Sequence, residues 1–215
     1  MTALVFVHGL WLTGIESGLL QQRLGNELDC RTHYFHYPSV SAPMAQILGD
    51  LRSFVQSLEA TTVHLVGHSL GGIVVLRLLE SCIDLPPGRA VLLGPPLNGS
   101  RAAQGVARWP IGAAILGRNI EAEVLTPQQR RWEGRRELGV IAGDVSLGLG
   151  RFFGMLDEAN DGTVSVSETA LEGANDHIVM PVSHTGMLFS AEVAQQTARF
   201  LAHGTFSRQA PDLRY

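Results

Sequence analysis

Ser69 is the residue whose surroundings most clearly suggest chemistry. It stands in the sequence GHSLGG, between the apolar run TVHLV, typical of a buried strand, and the stretch IVVLRLLE, typical of a helix. A strand that turns sharply into a helix strains the backbone at the turn and crowds the positions on either side, where the sequence has Gly67 and Gly71. Such a pattern can arise by chance in a chain with 24 glycines, but this setting is the one that the motif requires. We therefore predict a nucleophile elbow that exposes Ser69 Oγ at a sheet edge, beside a helix N-terminus.

A serine hydroxyl needs a base to take its proton, and the base needs a third group that fixes its tautomer. The carboxyl ends of parallel strands share one edge of the sheet, and sites form at that edge. His184 follows the apolar run IVMPV, whereas His177 precedes it and falls at the opposite edge. His68 lies inside the elbow, where we expect it to pack or to form a hydrogen bond. We predict that His184 is the base.

Two carboxylates are available as the third group. Asp144 ends the run LGVIAGD, and Asp161 stands in the segment EANDGTVSVSE. Topology alone leaves both candidates open. Asp157, in an expected surface turn, and Asp176, before a strand, are weaker candidates.

The developing oxyanion of an acyl-transfer reaction needs two backbone donors. One is expected to be the N–H of Leu70, the residue after the serine, and the other the N–H of Leu10 in the loop VHGLWLTG that leaves the first strand. Gly9 permits the tight turn that aims Leu10 into the site, and Trp11 is expected to wall an apolar substrate pocket. An ordinary turn is the alternative interpretation of this loop.

Apolar runs alternate with helical patterns along the chain, which predicts a mostly parallel sheet of about six strands flanked by helices. A helix is expected over 44–60, and a last one is expected to begin after Ser190 and to end at Gly204. We expect one α/β domain over 1–205 and a tail over 206–215. The apolar runs are 3–9, 30–38, 62–69, 89–96, 138–143 and 176–184.

Residues 97–137 form the least regular part of the chain and are predicted to make a small cap over the same sheet edge. Within 106–120 the pattern predicts a short apolar helical face, broken at Pro110. We expect Trp109 and Leu116 to line an acyl pocket, although the face could instead pack on the sheet. The members of the face are Val106, Trp109, Ile111, Ala114, Ile115 and Leu116.

Composition narrows the class of partner. The 215 residues carry a net charge of −4 without a basic cluster, which argues against binding to nucleic acid or an anionic membrane. No apolar run is long enough to cross a bilayer, and no basic segment precedes the first apolar one, so we expect a cytoplasmic protein without membrane insertion. We expect a small-molecule substrate, no metal ion and no cofactor.

Five segments in this order, FVHGLW, GHSLGG, GPPLNGS, NDGTV and SHTGMLFS, make the sequence resemble the α/β-hydrolase superfamily and, within it, the compact bacterial lipases and esterases. The resemblance runs from Leu4 to about Leu201. It implies a single-domain α/β-hydrolase fold, with Ser69 as nucleophile, His184 as base and Asp161, rather than Asp144, as acid. The chain departs from these lipases at GPPLNGS, where they often have a Pro-His pair, and it shows no Ca²⁺-ligand cluster.

The expected function is that of a carboxylesterase or lipase-like serine hydrolase that cleaves small to medium acyl esters through an acyl-enzyme. The insertion at 97–137 is too small for the large helical lids of interfacially activated lipases, which argues against long-chain triglycerides. Two alternatives remain: an acyltransferase that uses the same triad, and a non-catalytic binding protein on the same fold.

Overall fold

A single parallel sheet forms the centre of the structure. The structure, a computed structural model, describes residues 1–82, 84–126, 128–146 and 158–208. Its six strands lie in the order β2-β1-β3-β4-β5-β6, and every neighbouring pair is parallel. The strands are β1 (Thr2–Val7), β2 (Arg31–Phe35), β3 (Thr62–His68), β4 (Ala90–Leu93), β5 (Leu138–Gly143) and β6 (Asp176–Met180).

Helices cover both faces of the sheet and bury its side chains in two apolar clusters. One cluster lies under α2 and α3, and the other lies under α1 and α6, which pack against each other. The central strands β1, β3, β4 and β5 are buried almost throughout, as expected for strands covered on both faces. The helices are α1 (Gly18–Leu28), α2 (Met44–Ser57), α3 (Leu70–Ser81), α4 (Arg101–Ala107), α5 (Gly112–Glu123) and α6 (Ala191–His203).

The predicted α/β fold with a sheet of about six strands is confirmed, and the main differences lie at the ends of elements. The helix predicted over 44–60 ends at Ser57, because Glu59 has a left-handed backbone with φ 49°. The last helix has the expected caps: Ser190 Oγ accepts a hydrogen bond from a backbone N–H in the first turn, and Gly204 follows the last turn with φ 79°.

The packed part of the domain extends beyond the predicted boundary at 205. Phe206 is buried against Phe200, with ring centroids 4.8 Å apart, and Ser207 N donates to Gln196 Oε1 over 2.8 Å. The segment predicted as a tail therefore begins inside the core. Its last part, 209–215, lies outside the described residues.

The insertion at 97–137 leaves the carboxyl edge of the sheet after β4, contains α4 and α5, and returns to the amino edge at the start of β5. Arg130 Nε donates to Leu97 O over 2.9 Å, which ties the start of the insertion to the segment that follows α5. The predicted break at Pro110 falls in the turn between the two helices. Leu116 is buried in the core cluster beside α3, whereas Trp109 exposes half of its surface. The side chains of Ala114 and Ile115 lie outside the description.

Candidate active site

The turn between β3 and α3 has the strained geometry of a nucleophile elbow. Ser69 has φ 54° and ψ −121°, a conformation that L-residues rarely adopt. A Cβ atom at Gly67 would overlap the backbone of Gly71, and one at Gly71 would overlap Val7 O of the neighbouring strand. The two glycines are therefore required by the close approach of three backbone segments, as the sequence pattern predicted.

His184 and Asp161 form a buried acid–base pair. His184 Nδ1 lies 2.6 Å from Asp161 Oδ2, and His184 N donates to Asp161 O over 2.8 Å. Asp161 is fully buried and His184 is 8% exposed. Asp144, the other candidate from topology, is exposed on the surface. Geometry thus brings Asp161 to the histidine.

The orientation of the carboxylate follows from a tight turn. Gly162 has φ 94°, and this conformation lets the chain fold back so that Asp161 Oδ1 accepts from Thr163 N at 2.9 Å and from Val164 N at 2.7 Å. With Oδ1 occupied, Oδ2 accepts the Nδ1–H of His184. This hydrogen bond selects the tautomer in which His184 Nε2 carries a lone pair and can accept a proton.

Two contacts bring the acid–base pair next to the elbow. Gly94, at the end of β4, has φ 54°, and a Cβ atom there would lie 3.0 Å from Asp161 Oδ2 and 3.1 Å from His184 Nδ1. Ser69 N donates to Leu93 O, one residue before Gly94, over 2.9 Å. Within the described residues, no hydrogen bond joins Ser69 Oγ to His184 Nε2; such bonds are often long in unliganded enzymes and tighten when substrate binds.

His68, next to the serine, bonds to the backbone of His184. Its Nε2–H donates to His184 O over 3.0 Å, and the two rings lie 4.7 Å apart. Burial and, to a smaller extent, the neighbouring His184 lower the pKa of His68 to about 3. His68 is therefore neutral at physiological pH, and its Nδ1 has no hydrogen-bond partner among the described residues.

The loop after β1 passes directly beside the serine. A Cβ atom at Gly9 would lie 3.1 Å from Ser69 Cβ, which explains the need for glycine there. Within the described part of the chain, Leu10 N donates to no acceptor, whereas Trp11 N donates to Ser39 Oγ over 3.1 Å. Leu70 is the first residue of α3, so its N–H has no acceptor within the helix. Neither of these two N–H groups is therefore used by an acceptor that the described residues provide.

His8 fixes the first part of this loop. Its Nδ1–H donates to Gly9 O over 2.8 Å, and its Nε2 accepts from Tyr37 N over 3.2 Å. Tyr37 Oη donates to His8 O over 2.7 Å, and the two rings stack at 4.3 Å. Burial lowers the pKa of His8, which favours the neutral ring that these bonds require. Sequence reasoning did not assign this residue; a histidine before glycine at a strand end was the available signal.

The predicted pocket residues have different environments. Trp11 and Trp109 expose 53% and 52% of their surfaces, while Leu116 is 4% exposed. Two cavities outlined by the described residues are lined by none of the three. A cavity of about 800 Å³ lies instead at the opposite edge of the sheet, beside Trp132 and Arg136, away from the elbow. The geometry of the elbow and the acid–base pair, and not cavity size, identifies the candidate site.

Two further properties concern ligands and membranes. Among the described residues, no group of three or more His, Cys, Asp or Glu side chains could hold a metal ion. None of the helices in the described ranges is long and apolar enough to span a bilayer.

Solved structures with a similar fold include two lipolytic enzymes and a carboxylesterase. The mature form of Bacillus licheniformis lipase BlEst2 has a TM-score of 0.71 at 19% identity, covering 95% of this chain and 92% of that one. Legionella pneumophila phospholipase PlaB has a TM-score of 0.70 at 17% identity, and the match covers 94% of this chain but 56% of that one. Bacillus subtilis carboxylesterase CesB has a TM-score of 0.59 at 14% identity, covering 95% and 85% of the two chains.

At these identities the likeness shows the fold. No curated protein matches the sequence. The sequence model of the alpha/beta hydrolase family matches residues 4–209, and the chain therefore belongs to that family.

Proposed function

We propose that the protein is a serine carboxylic ester hydrolase with Ser69, His184 and Asp161 as its triad. The observation that carries the proposal is the strained backbone of Ser69 beside a buried histidine whose Nδ1 is held by a carboxylate at 2.6 Å. This arrangement has the three parts that nucleophilic catalysis by serine needs: a partly accessible hydroxyl, a base, and a group that orients the base.

In the proposed reaction Ser69 Oγ attacks the ester carbonyl while His184 Nε2 takes its proton. The N–H groups of Leu10 and Leu70 hold the oxyanion of the tetrahedral intermediate. His184 then protonates the leaving alcohol, which leaves an acyl group on Ser69. A water molecule, deprotonated by His184, attacks the acyl-enzyme and releases the acid.

The substrates are proposed to be esters with small to medium acyl chains. Trp11 and Trp109 offer half-exposed aromatic surface, and Leu116 of α5 is buried in the core cluster. A lipase, a phospholipase and a carboxylesterase among the similar structures support an ester as the bond that is cleaved.

The test combines covalent labelling with turnover. Wild-type protein should react with a fluorophosphonate probe and hydrolyse p-nitrophenyl butyrate, and Ser69→Ala should do neither while its circular dichroism stays unchanged. Ser57→Ala, which removes an exposed hydroxyl on α2, is the matched control and should behave as wild type.

Each other outcome contradicts part of the proposal. Absence of labelling in the wild type would show that the site does not act as a nucleophile, as in a binding protein. Labelling with acyl transfer to an added alcohol, but without release of free acid, would make the protein an acyltransferase instead.

A further inference from the structure

The loop that carries Leu10 is held by a side chain outside the triad. Trp11 has a left-handed backbone with φ 61°, which is unfavourable for a bulky residue and persists only when its surroundings hold it. The N–H of Trp11 donates to Ser39 Oγ over 3.1 Å. Ser39 is 5% exposed, so water does not readily replace this hydrogen bond. The hydroxyl of Ser39 therefore fixes the peptide unit that directly follows Leu10.

Ser39 is held in turn by the insertion between β4 and β5. Asn119 of α5 is 3% exposed, and its Nδ2 donates to Ala42 O over 2.8 Å and more weakly to Ser39 O at 3.5 Å. Gly117 has φ 77°, and a Cβ atom there would lie 2.8 Å from Val40 Cα. The segment 38–42, which we call the Ser39 loop, is thus clamped between α5 and the loop after β1.

We propose that Ser39 is a positioning residue for the oxyanion hole and that Asn119 couples the insertion to it. This inference rests on the proposed function, because it assigns Leu10 N–H as an oxyanion donor. The donor is useful only when it points at the oxygen of the intermediate, and its direction depends on the backbone that Ser39 holds. The insertion then contributes to catalysis through the Ser39 loop.

The variants are chosen to separate positioning from general stability. Ser39→Ala removes the acceptor of Trp11 N–H, and Ser39→Thr restores a hydroxyl. Asn119→Asp keeps the shape of the side chain but loses both N–H donors. Ser17→Ala is the matched control, because Ser17 is a fully buried serine whose hydroxyl bonds to Gly14 O, farther along the loop after β1.

The expected effect is on kcat and not on KM. Removing an oxyanion donor outright costs about 10²–10³ in kcat, so a displaced donor should cost about 10- to 100-fold in Ser39→Ala and less in Asn119→Asp. KM should stay within about threefold. The inhibition constant of a trifluoromethyl ketone, which Ser69 converts into a tetrahedral oxyanion adduct, should rise in proportion to the loss of kcat. Ser39→Thr should recover most of the loss, and Ser17→Ala should lower only Tm.

A readout that does not depend on turnover keeps the inference testable if the proposed function fails. Hydrogen exchange at the amide of Trp11, measured by NMR at a temperature where all variants are folded, should be faster in Ser39→Ala and Asn119→Asp than in the wild type or Ser17→Ala. Unchanged exchange in both variants would overturn the coupling even in an inactive protein. In an active protein, an unchanged inhibition constant in Ser39→Ala would overturn the role of Ser39 in the oxyanion hole.

Discussion

Replacement of Asp161 by asparagine should abolish most of the activity by changing the tautomer of His184. Asparagine has one acceptor oxygen where aspartate has two. Two backbone N–H groups, those of Thr163 and Val164, face Oδ1, so the amide oxygen must occupy that position. The opposite orientation would sacrifice two buried hydrogen bonds, at about 1–3 kcal/mol each. The amide NH₂ then faces His184 Nδ1 and forces it to act as acceptor.

A histidine that accepts at Nδ1 carries its proton on Nε2 and cannot take the proton of Ser69. Replacement of the aspartate by asparagine lowers kcat about 10⁴-fold in a serine protease triad, which corresponds to an increase of about 5 kcal/mol in the activation barrier. We expect a loss of this size in Asp161→Asn, measured with p-nitrophenyl butyrate at pH 7.5. Asp144→Asn is the control and should stay within twofold of wild type because its side chain is exposed. A kcat above one tenth of wild type in Asp161→Asn would refute the assignment of the acid.

The remaining predictions concern pH and the insertion. Burial, with Arg89 and Arg136 nearby, lowers the pKa of His64 to about 4. In the unfolded chain the pKa of a histidine is about 6.5, so between these two values the unfolded chain binds a proton that the folded protein does not. The free energy of unfolding therefore falls as the pH drops from about 6.5 towards 4. Between pH 7 and 4.5 the free energy of unfolding should fall by about 2 kcal/mol more in the wild type than in His64→Asn, and equal losses in urea titrations would contradict this. Trp109→Ala should shift the acyl-chain optimum of kcat/KM towards longer esters with little change in Tm, because half of the side chain is exposed. Leu116→Ala should cause the same shift but cost about 2–5 kcal/mol of stability, since this side chain is buried in the core; an unchanged optimum in both variants would exclude them from the acyl pocket.

The elbow could be predicted from sequence because its cause is local. The backbone crowding around Ser69 involves residues within a few positions, together with the strand beside it. This crowding requires glycine at positions 67 and 71, where the sequence shows it. The edge of the sheet on which His184 lies could also be predicted, since chain direction alone decides which strand ends meet. These two arguments predict where the candidate site lies.

The choice of acid needed information that topology does not contain. Asp144 and Asp161 both lie between β5 and β6, so the order of elements does not show which of them faces His184. The turn at Gly162 decides between them, because it fixes one carboxylate oxygen and aims the other at His184. Resemblance to known hydrolases pointed to the residue that the geometry supports.

Contacts between distant parts of the chain were beyond sequence reasoning. Ser39 meets Trp11 across 28 positions, and Asn119 meets Ala42 across 77. Neither serine nor asparagine stands in a pattern that predicts its partner, because each bonds to a backbone group that only the tertiary fold brings near. The burial of Leu116 was also undecided, since an apolar helical face can cover a pocket or fill a core.

The close contact between Gly117 and the Ser39 loop limits how freely the insertion could be exchanged for another. Residues 97–130 begin and end close together, because Arg130 Nε donates to Leu97 O, and they supply no member of the proposed triad, so they resemble a segment that could be exchanged as a unit. A graft designed only to join Leu97 to Arg130 would keep these ends together. Any side chain at the position of Gly117 would meet the backbone of Val40, and a segment without an amide at the position of Asn119 would leave the carbonyl of Ala42 without its donor. New substrate preferences are therefore easier to reach by changing individual side chains on this scaffold than by transplanting a whole segment.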